Sequence, residues 1–174
     1  MVVVRNTRSV TERRDIIMEL QIEKLLKEKG IEYRLIKLSQ NAYTVDDVVK
    51  YSKVDINSEE ICKTIILRGK KTGKKIAIFL RGNDKLNFSE AKKVFGEEMM
   101  IASEEQVEEA SGVKPGAVCP LLLKIELLVD KKVIDLEKVN CGSGNHLYGL
   151  EFNMKDLARG ANYKIVDLAK VPAE

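Results

Sequence analysis

Cys62-Lys63-Thr64-Ile65-Ile66-Leu67, then Arg68-Gly69-Lys70-Lys71-Thr72-Gly73-Lys74, then Lys75-Ile76-Ala77-Ile78-Phe79-Leu80 is the stretch that decides the fold. Two apolar, β-branched runs flank a charged loop punctuated by glycine, which predicts a pair of adjacent antiparallel strands. Period-2 alternation sends Cys62, Thr64 and Ile66 to one face of the first strand and Lys63, Ile65 and Leu67 to the other. A lysine with apolar neighbours on its face must either snorkel to an edge or point into a polar cavity, because an unpaired buried ammonium is strongly unfavourable.

Outward from this hairpin the pattern changes repeatedly. From Asp15 to Lys29 the apolar positions Ile16, Ile17, Leu20, Ile22, Leu25 and Leu26 share a helical face that Gly30 ends. Ile31 to Leu38 alternates as a strand, and Thr44, Asp46 and Asp47 open a short helix. Asn87 or Ser89 caps a helix through Val94, Met99 to Ala102 is a short strand, and Ser103 with Gln106 forms a capping box for a helix ending at Gly112. Leu121 to Lys124, Ile125 to Val129 and Lys132 to Leu136 read as strands, with Asp130-Lys131 as a tight turn. Leu147 to Phe152 is a further strand, Asn153 caps a short helix that Gly160 ends, and Tyr163 to Val166 closes the series. Non-local strands with inserted helices and no regular βαβ alternation predict an α+β fold with a mostly antiparallel, curled sheet.

At 174 residues and 44% hydrophobic content, the chain suits one substantial core. We expect a single domain over residues 15–174, preceded by a basic arm at 1–14 that carries Arg5, Arg8, Arg13 and Arg14. A net charge of +3 is only a mild bias toward polyanions. Lys70, Lys71, Lys74 and Lys75 at the hairpin tip read first as a solvated loop, and otherwise as phosphate contacts. No apolar run approaches the ~20 residues that span a bilayer, and the start of the chain turns polar and basic at once. Cytoplasmic location without a membrane partner is therefore expected.

Cys62, Cys119 and Cys141 are widely spaced and contain no Cys-x-x-Cys pair, so neither a disulfide framework nor, with His146, a zinc site follows. No Gly-x-x-x-x-Gly-Lys-[Ser/Thr] or Gly-x-Gly-x-x-Gly spacing supports a nucleotide site, and no cofactor or metal is implied. Two glycine-rich segments remain, Gly112-Val113-Lys114-Pro115-Gly116 and Cys141-Gly142-Ser143-Gly144-Asn145-His146. They read as two walls of one pocket, where backbone N–H groups can approach an ester or a phosphate. His146, the single histidine, is either a turn residue or a group that exchanges a proton near neutral pH.

Lys63-Thr64-Ile65-Ile66-Leu67, Gly112 to Gly116 and Gly142 to His146, in that order, resemble the YbaK/prolyl-tRNA synthetase insertion-domain family of aminoacyl-tRNA deacylases. The resemblance runs from about Leu20 to Leu168 and takes in Val129-Asp130 and Met154-Lys155-Asp156-Leu157. It implies a mixed, barrel-like sheet surrounded by helices, with a cleft for the aminoacylated 3′ end of tRNA. It further implies trans-acting hydrolysis of a misacylated tRNA, alanyl or cysteinyl tRNA for proline, by water attack on the ester. On this reading Lys63, His146 and Gly144 serve catalysis, and Thr64, Gly112, Pro115, Gly116, Gly142, Ser143 and Asn145 bind substrate. His146 tilts toward the alanine-clearing branch and Thr64 toward the cysteine-specific one. Misacylated tRNA is the implied partner, with a synthetase as a second one, and a non-catalytic tRNA-binding module is the alternative. Oligomeric state is not legible.

Overall fold

The computed structural model describes residues 21–170, so the basic arm expected at 1–14 and the helix expected from Asp15 as far as residue 20 lie outside the described residues. Helix α1 occupies 21–28 and buries Ile22 and Leu26 completely. Strand β1 (Tyr33–Lys37) follows, then α2 (Val45–Tyr51), β2 (Cys62–Gly69), β3 (Lys75–Arg81), β4 (Lys85–Leu86), α3 (Phe88–Phe95), β5 (Met99–Ile101), α4 (Glu104–Ser111) and β6 (Leu127–Asp130). After these come α5 (Lys131–Ile134), β7 (Lys138–Gly142), β8 (Tyr148–Asn153), α6 (Leu157–Gly160), β9 (Tyr163–Val166) and β10 (Ala169–Lys170).

A five-stranded sheet runs β5-β2-β3-β6-β9 and a three-stranded sheet runs β1-β8-β7. The β2–β3 hairpin forms in the expected antiparallel sense, with Lys63 opposite Leu80 and Ile66 opposite Ala77. The β3–β6 and β6–β9 ladders are parallel and the others antiparallel, so the fold is mixed α+β with an antiparallel majority. A parallel bridge between Ile61 and Asn140 joins the two sheets. Among the described residues no barrel closes around them.

Alternation across β2 and β3 explains why both read as apolar runs. Cys62, Ile66, Ala77 and Phe79 face the larger core cluster, whereas Leu67, Ile76, Ile78 and Leu80 face a second one. A strand covered on both sides loses its polar alternates.

Two segments expected as strands are not strands. Residues 121–124 form turns instead of a strand: Leu122 N–H donates to Cys119 O and Lys124 N–H to Ala110 O, beside Pro120, which has no amide hydrogen to give a ladder. Residues 132–136 are likewise no strand. Asp130 accepts from Lys132 N–H at 3.0 Å and caps α5, so local capping overrides the β-branched run and drives Val133 into the core. Asp130-Lys131 is thus a helix start, and the strand before it is shifted to Leu127–Asp130.

Asp130 is fully buried, and its other oxygen accepts from Leu168 N–H at 2.8 Å and Ala169 N–H at 2.9 Å. It fastens the C-terminal strands to β6. Asp130→Ala would leave buried amides unpaired, each worth ~1–3 kcal/mol, and should lower the thermal midpoint by about 10 °C at ~2–4 °C per kcal/mol for a chain of this size. A calorimetric scan checks it; a shift under 2 °C would exclude the fastening role.

Candidate active site

One cavity of about 450 Å³ opens where the bridge joins the sheets. Its first wall is the start of β2, beyond the reach of β5, which pairs only with Leu67 to Gly69. Its floor is a cross-strand row of the small sheet, Ile36 opposite Gly149 opposite Gly142. Both glycines leave that row low, and all three residues border the cavity. The far wall is the loop carrying Pro115, Gly116 and Ala117, and the mouth is edged by Tyr43 and Thr44.

The mouth is organised by a capping box. Thr44 Oγ1 accepts from Asp47 N–H at 3.1 Å, and the Asp47 carboxylate accepts from Thr44 and Tyr43 N–H at 3.2 and 3.1 Å. The Tyr43 amide leads the groups that hold the Asp47 carboxyl below its ordinary pKa. Tyr43 keeps 61% of its surface exposed, and its ring lies 5.1 Å from that of His146. Gly116 sits at φ +102°, and a Cβ there would lie 3.2 Å from the Tyr43 ring.

Lys63 reaches past the β3–β4 turn and donates to Gly82 O at 2.9 Å and Asp84 O at 2.7 Å. An ammonium has three N–H donors, so one remains. Burial lowers its pKa from the ordinary 10.5, and Asp84 opposes this. The turn is itself fixed: Arg81 clasps the buried Asp84 through Nε at 2.7 Å and a terminal nitrogen at 3.1 Å. Beside Lys63, the Thr64 hydroxyl is buried without a partner.

His146 Nε2 lies 3.0 Å from Pro115 O. A carbonyl only accepts, so this nitrogen carries the hydrogen and Nδ1 of the neutral ring is left as an acceptor.

The two glycine loops do meet. Gly144 N–H donates to Ala117 O at 2.8 Å, and Gly142 packs so closely on residues 117–118 that a Cβ would overlap the Val118 carbonyl oxygen. Lys63, Thr64, Pro115, Gly116, Gly142, Asn145 and His146 all border the cavity. Gly112, Ser143 and Gly144 do not. Gly112 is the left-handed cap of α4. Ser143 Oγ contacts Tyr148 O at 2.7 Å and accepts from Asn145 N–H at 3.2 Å, while Asn145 Oδ1 accepts from Leu147 N–H. These bonds shape the loop that presents His146.

Sequence reading missed Tyr43, Gly82 and Asn140, which border the cavity, and the Arg81–Asp84 clasp. The Arg81-Gly82-Asn83-Asp84 turn directly after an apolar strand was the available signal. The hairpin lysines lie elsewhere: Lys70 pairs with Glu98, Lys74 with Glu126 and Lys75 with Glu109, so acids already match these three.

Cys62 and Cys141 also border the cavity. Burial raises the thiol pKa of Cys62 and of Cys119 to about 12, and that of Cys141 well above its ordinary value. Thiols held this firmly protonated are poor nucleophiles.

Residues 39–159 match the family described as the aminoacyl-tRNA editing domain. The chain belongs to that family. A crystal structure of a protein described only as hypothetical is similar to this editing domain at 26% identity, with a TM-score of 0.77 over 86% of this chain and 99% of that one. A candidate trans-editing enzyme for prolyl-tRNA synthetase is similar at 18% identity, with a TM-score of 0.75 over 88% of this chain and 97% of that one. At that identity the second likeness speaks for the fold of the editing domain. Among the described residues no helix is long and apolar enough to cross a membrane.

Proposed function

We propose that this editing domain hydrolyses misacylated tRNA in trans, with alanyl or cysteinyl esters on tRNA for proline as its substrates and water as the nucleophile. The observation that carries the reading is the convergence of Lys63, the Pro115-Gly116 loop and His146 on one cavity in a chain of the editing family. The candidate trans-editing enzyme of the same fold supports the choice of tRNA.

The 3′ end enters past Tyr43, whose exposed ring offers a stacking face to the terminal base. Lys63 holds the ester end or its neighbouring phosphate with its remaining N–H, while Thr64 donates its hydroxyl. Among the described residues the amides of Gly116 and Ala117 donate to no backbone carbonyl. They are our candidates for stabilising the oxyanion as water adds to the ester carbonyl. Nδ1 of His146 accepts a hydrogen bond from that water and orients it. Gly112, Ser143 and Gly144 serve by holding the loops, and residues 15–174 act as one domain. A synthetase supplies mischarged tRNA but no residue of the cavity.

The test is a deacylation time course on alanyl-, cysteinyl-, seryl- and prolyl-tRNA for proline. Rapid loss of the alanyl or cysteinyl ester is expected, slowed about a hundredfold in His146→Ala if the imidazole assists proton transfer. Binding of tRNA without hydrolysis of any ester would replace the reading with that of a tRNA-binding module.

A further inference from the structure

Strands β4 and β10 form a two-residue ladder that sets Lys85 directly opposite Lys170. Their neighbours Leu86 and Ala169 pack in the second core cluster, so alternation turns both lysines to the other face, where both are exposed. Side chains opposed in this way stand about 5 Å apart at Cβ, and like charges so placed destabilise a ladder. Among the described residues neither lysine has an acidic partner.

The acids that flank or touch the ladder are already claimed. Asp84 is clasped by Arg81, and Asp167 pairs with Lys131 at 2.7 Å. Asp130 is spent on the amides of Lys132, Leu168 and Ala169. Two further cations stand close by. Lys132 Nζ donates to Ala169 O at 3.0 Å, and Lys63 donates to Asp84 O, next in the chain to Lys85. Burial leads in lowering the Lys63 pKa, and the charge of Lys85 adds to it against Asp84. Lys70, Lys74 and Lys75 of the β2–β3 hairpin each meet a glutamate, so the ladder is the place where cations gather unmatched.

This ladder adjoins the cavity. Gly82 borders it, and Lys85 follows three residues later, a span of at most about 11 Å.

We propose that Lys85 and Lys170 bind the sugar–phosphate backbone of the acceptor strand leading to the 3′ end. This rests on the deacylase reading of the cavity and adds where the rest of the substrate lies. A phosphodiester between two opposed ammonium groups relieves the repulsion that the free ladder bears. Lysine suits the task, since a point charge neutralises phosphate without reading bases. Binding at the ladder is then insensitive to base sequence and steeply dependent on salt.

The probe is an uncharged, fluorescein-labelled acceptor-stem minihelix of tRNA for proline with its CCA end, titrated by anisotropy between about 50 and 200 mM salt. Lys170→Glu removes one cation and gives Lys85 an acid opposite it. The slope of log K against log salt should become shallower by about 1.5, the share of two phosphates, and binding at about 100 mM salt should weaken at least tenfold. The thermal midpoint of the free protein should hold or rise, because an ion pair replaces a like-charge pair. Lys71→Glu, at the far tip of the β2–β3 hairpin, makes the same change in net charge and should move binding less than about twofold. Should Lys170→Glu fail to fold, Lys85→Gln must make the slope shallower by about 0.8. Equal loss in Lys170→Glu and Lys71→Glu, or an unchanged slope in the folded ladder variant, overturns the assignment.

Turnover separates the two readings. A slope that depends on Lys170 with no ester hydrolysed would remove the deacylase reading and keep the backbone-binding face. Rapid deacylation with a slope indifferent to Lys170 would do the reverse.

Discussion

Lys63→Met should lower kcat/KM for deacylation by a hundredfold or more, while the fold stays cooperative. The methionine stem can occupy the lysine channel, but nothing then donates to the carbonyls of Gly82 and Asp84, which accept from the ammonium at 2.9 and 2.7 Å. The cavity also loses its cation, and an interaction with a developing negative charge is worth most where water is excluded. Lys63→Arg is a sharper control. The planar guanidinium keeps the charge but cannot reproduce a compact head set between two carbonyls, so a deficit of at least tenfold should persist. Wild-type rates in Lys63→Met would end the anchoring role.

The same lysine gives a pH signature whose two parts have opposite signs. Burial lowers the Lys63 pKa below 10.5. Between that lowered value and 10.5 the unfolded chain binds more protons than the folded one, so the contribution of Lys63 to stability rises with pH in this window. Binding of a non-hydrolysable aminoacyl-adenosine should fall in the same window, because the folded lysine is losing its charge. Calorimetry and probe titration across it check both signs, with Lys63→Met as the baseline. Binding that follows an unshifted lysine near 10.5 would remove burial as the governing effect.

Gly142→Ala should cost more than any other single methyl at the site. The added Cβ would overlap Val118 O and stand 2.7 Å from the Ala117 carbonyl carbon. Backbone, unlike a side-chain tip, has no rotamer through which to escape. The loop carrying Pro115 to Val118 must back away from β7, at a cost of ~1–3 kcal/mol for overpacking. That displacement strains the Gly144 N–H to Ala117 O bond at 2.8 Å and shifts the Pro115 carbonyl from His146 Nε2 at 3.0 Å. Deacylation should fall more than a hundredfold, since misplacement of about 1 Å can already cost that much. The discriminating comparison is Gly149→Ala, where a Cβ meets only Ile36 at ordinary contact distance; equal losses in both would mean that the Gly142 contact is not what sets the site.

The reason β7 escaped the sequence reading lies in the same residues. Lys138-Val139-Asn140-Cys141-Gly142 turns Val139 and Cys141 to the core but spends its alternate positions on Asn140 and Gly142. A strand facing water would place solvated polar residues there, and a core strand apolar ones. This strand faces a cavity, so neither pattern appears, and a break in local consistency marks a functional wall. The β2–β3 hairpin obeyed the rules because both of its faces are packed. The opening of α2 at Thr44, the Ser103–Gln106 box and the Gly112 cap were legible because caps are local bonds. Asp130 is the instructive failure: its capping of α5 is local, yet the β-branched residues that followed outweighed it on inspection.

The sequence by itself determined the α+β class, the central hairpin and the caps, since each follows from alternation, glycine or a bond spanning a few positions. Tertiary structure alone decided that β6 and β9 run parallel to β3 and that the Ile61–Asn140 bridge sets two sheets around one cavity. It likewise decided that the charge of Lys63 is held by carbonyls about 20 positions away in sequence. Those relations bring distant segments together, and their stability comes from joint burial, which no local pattern encodes.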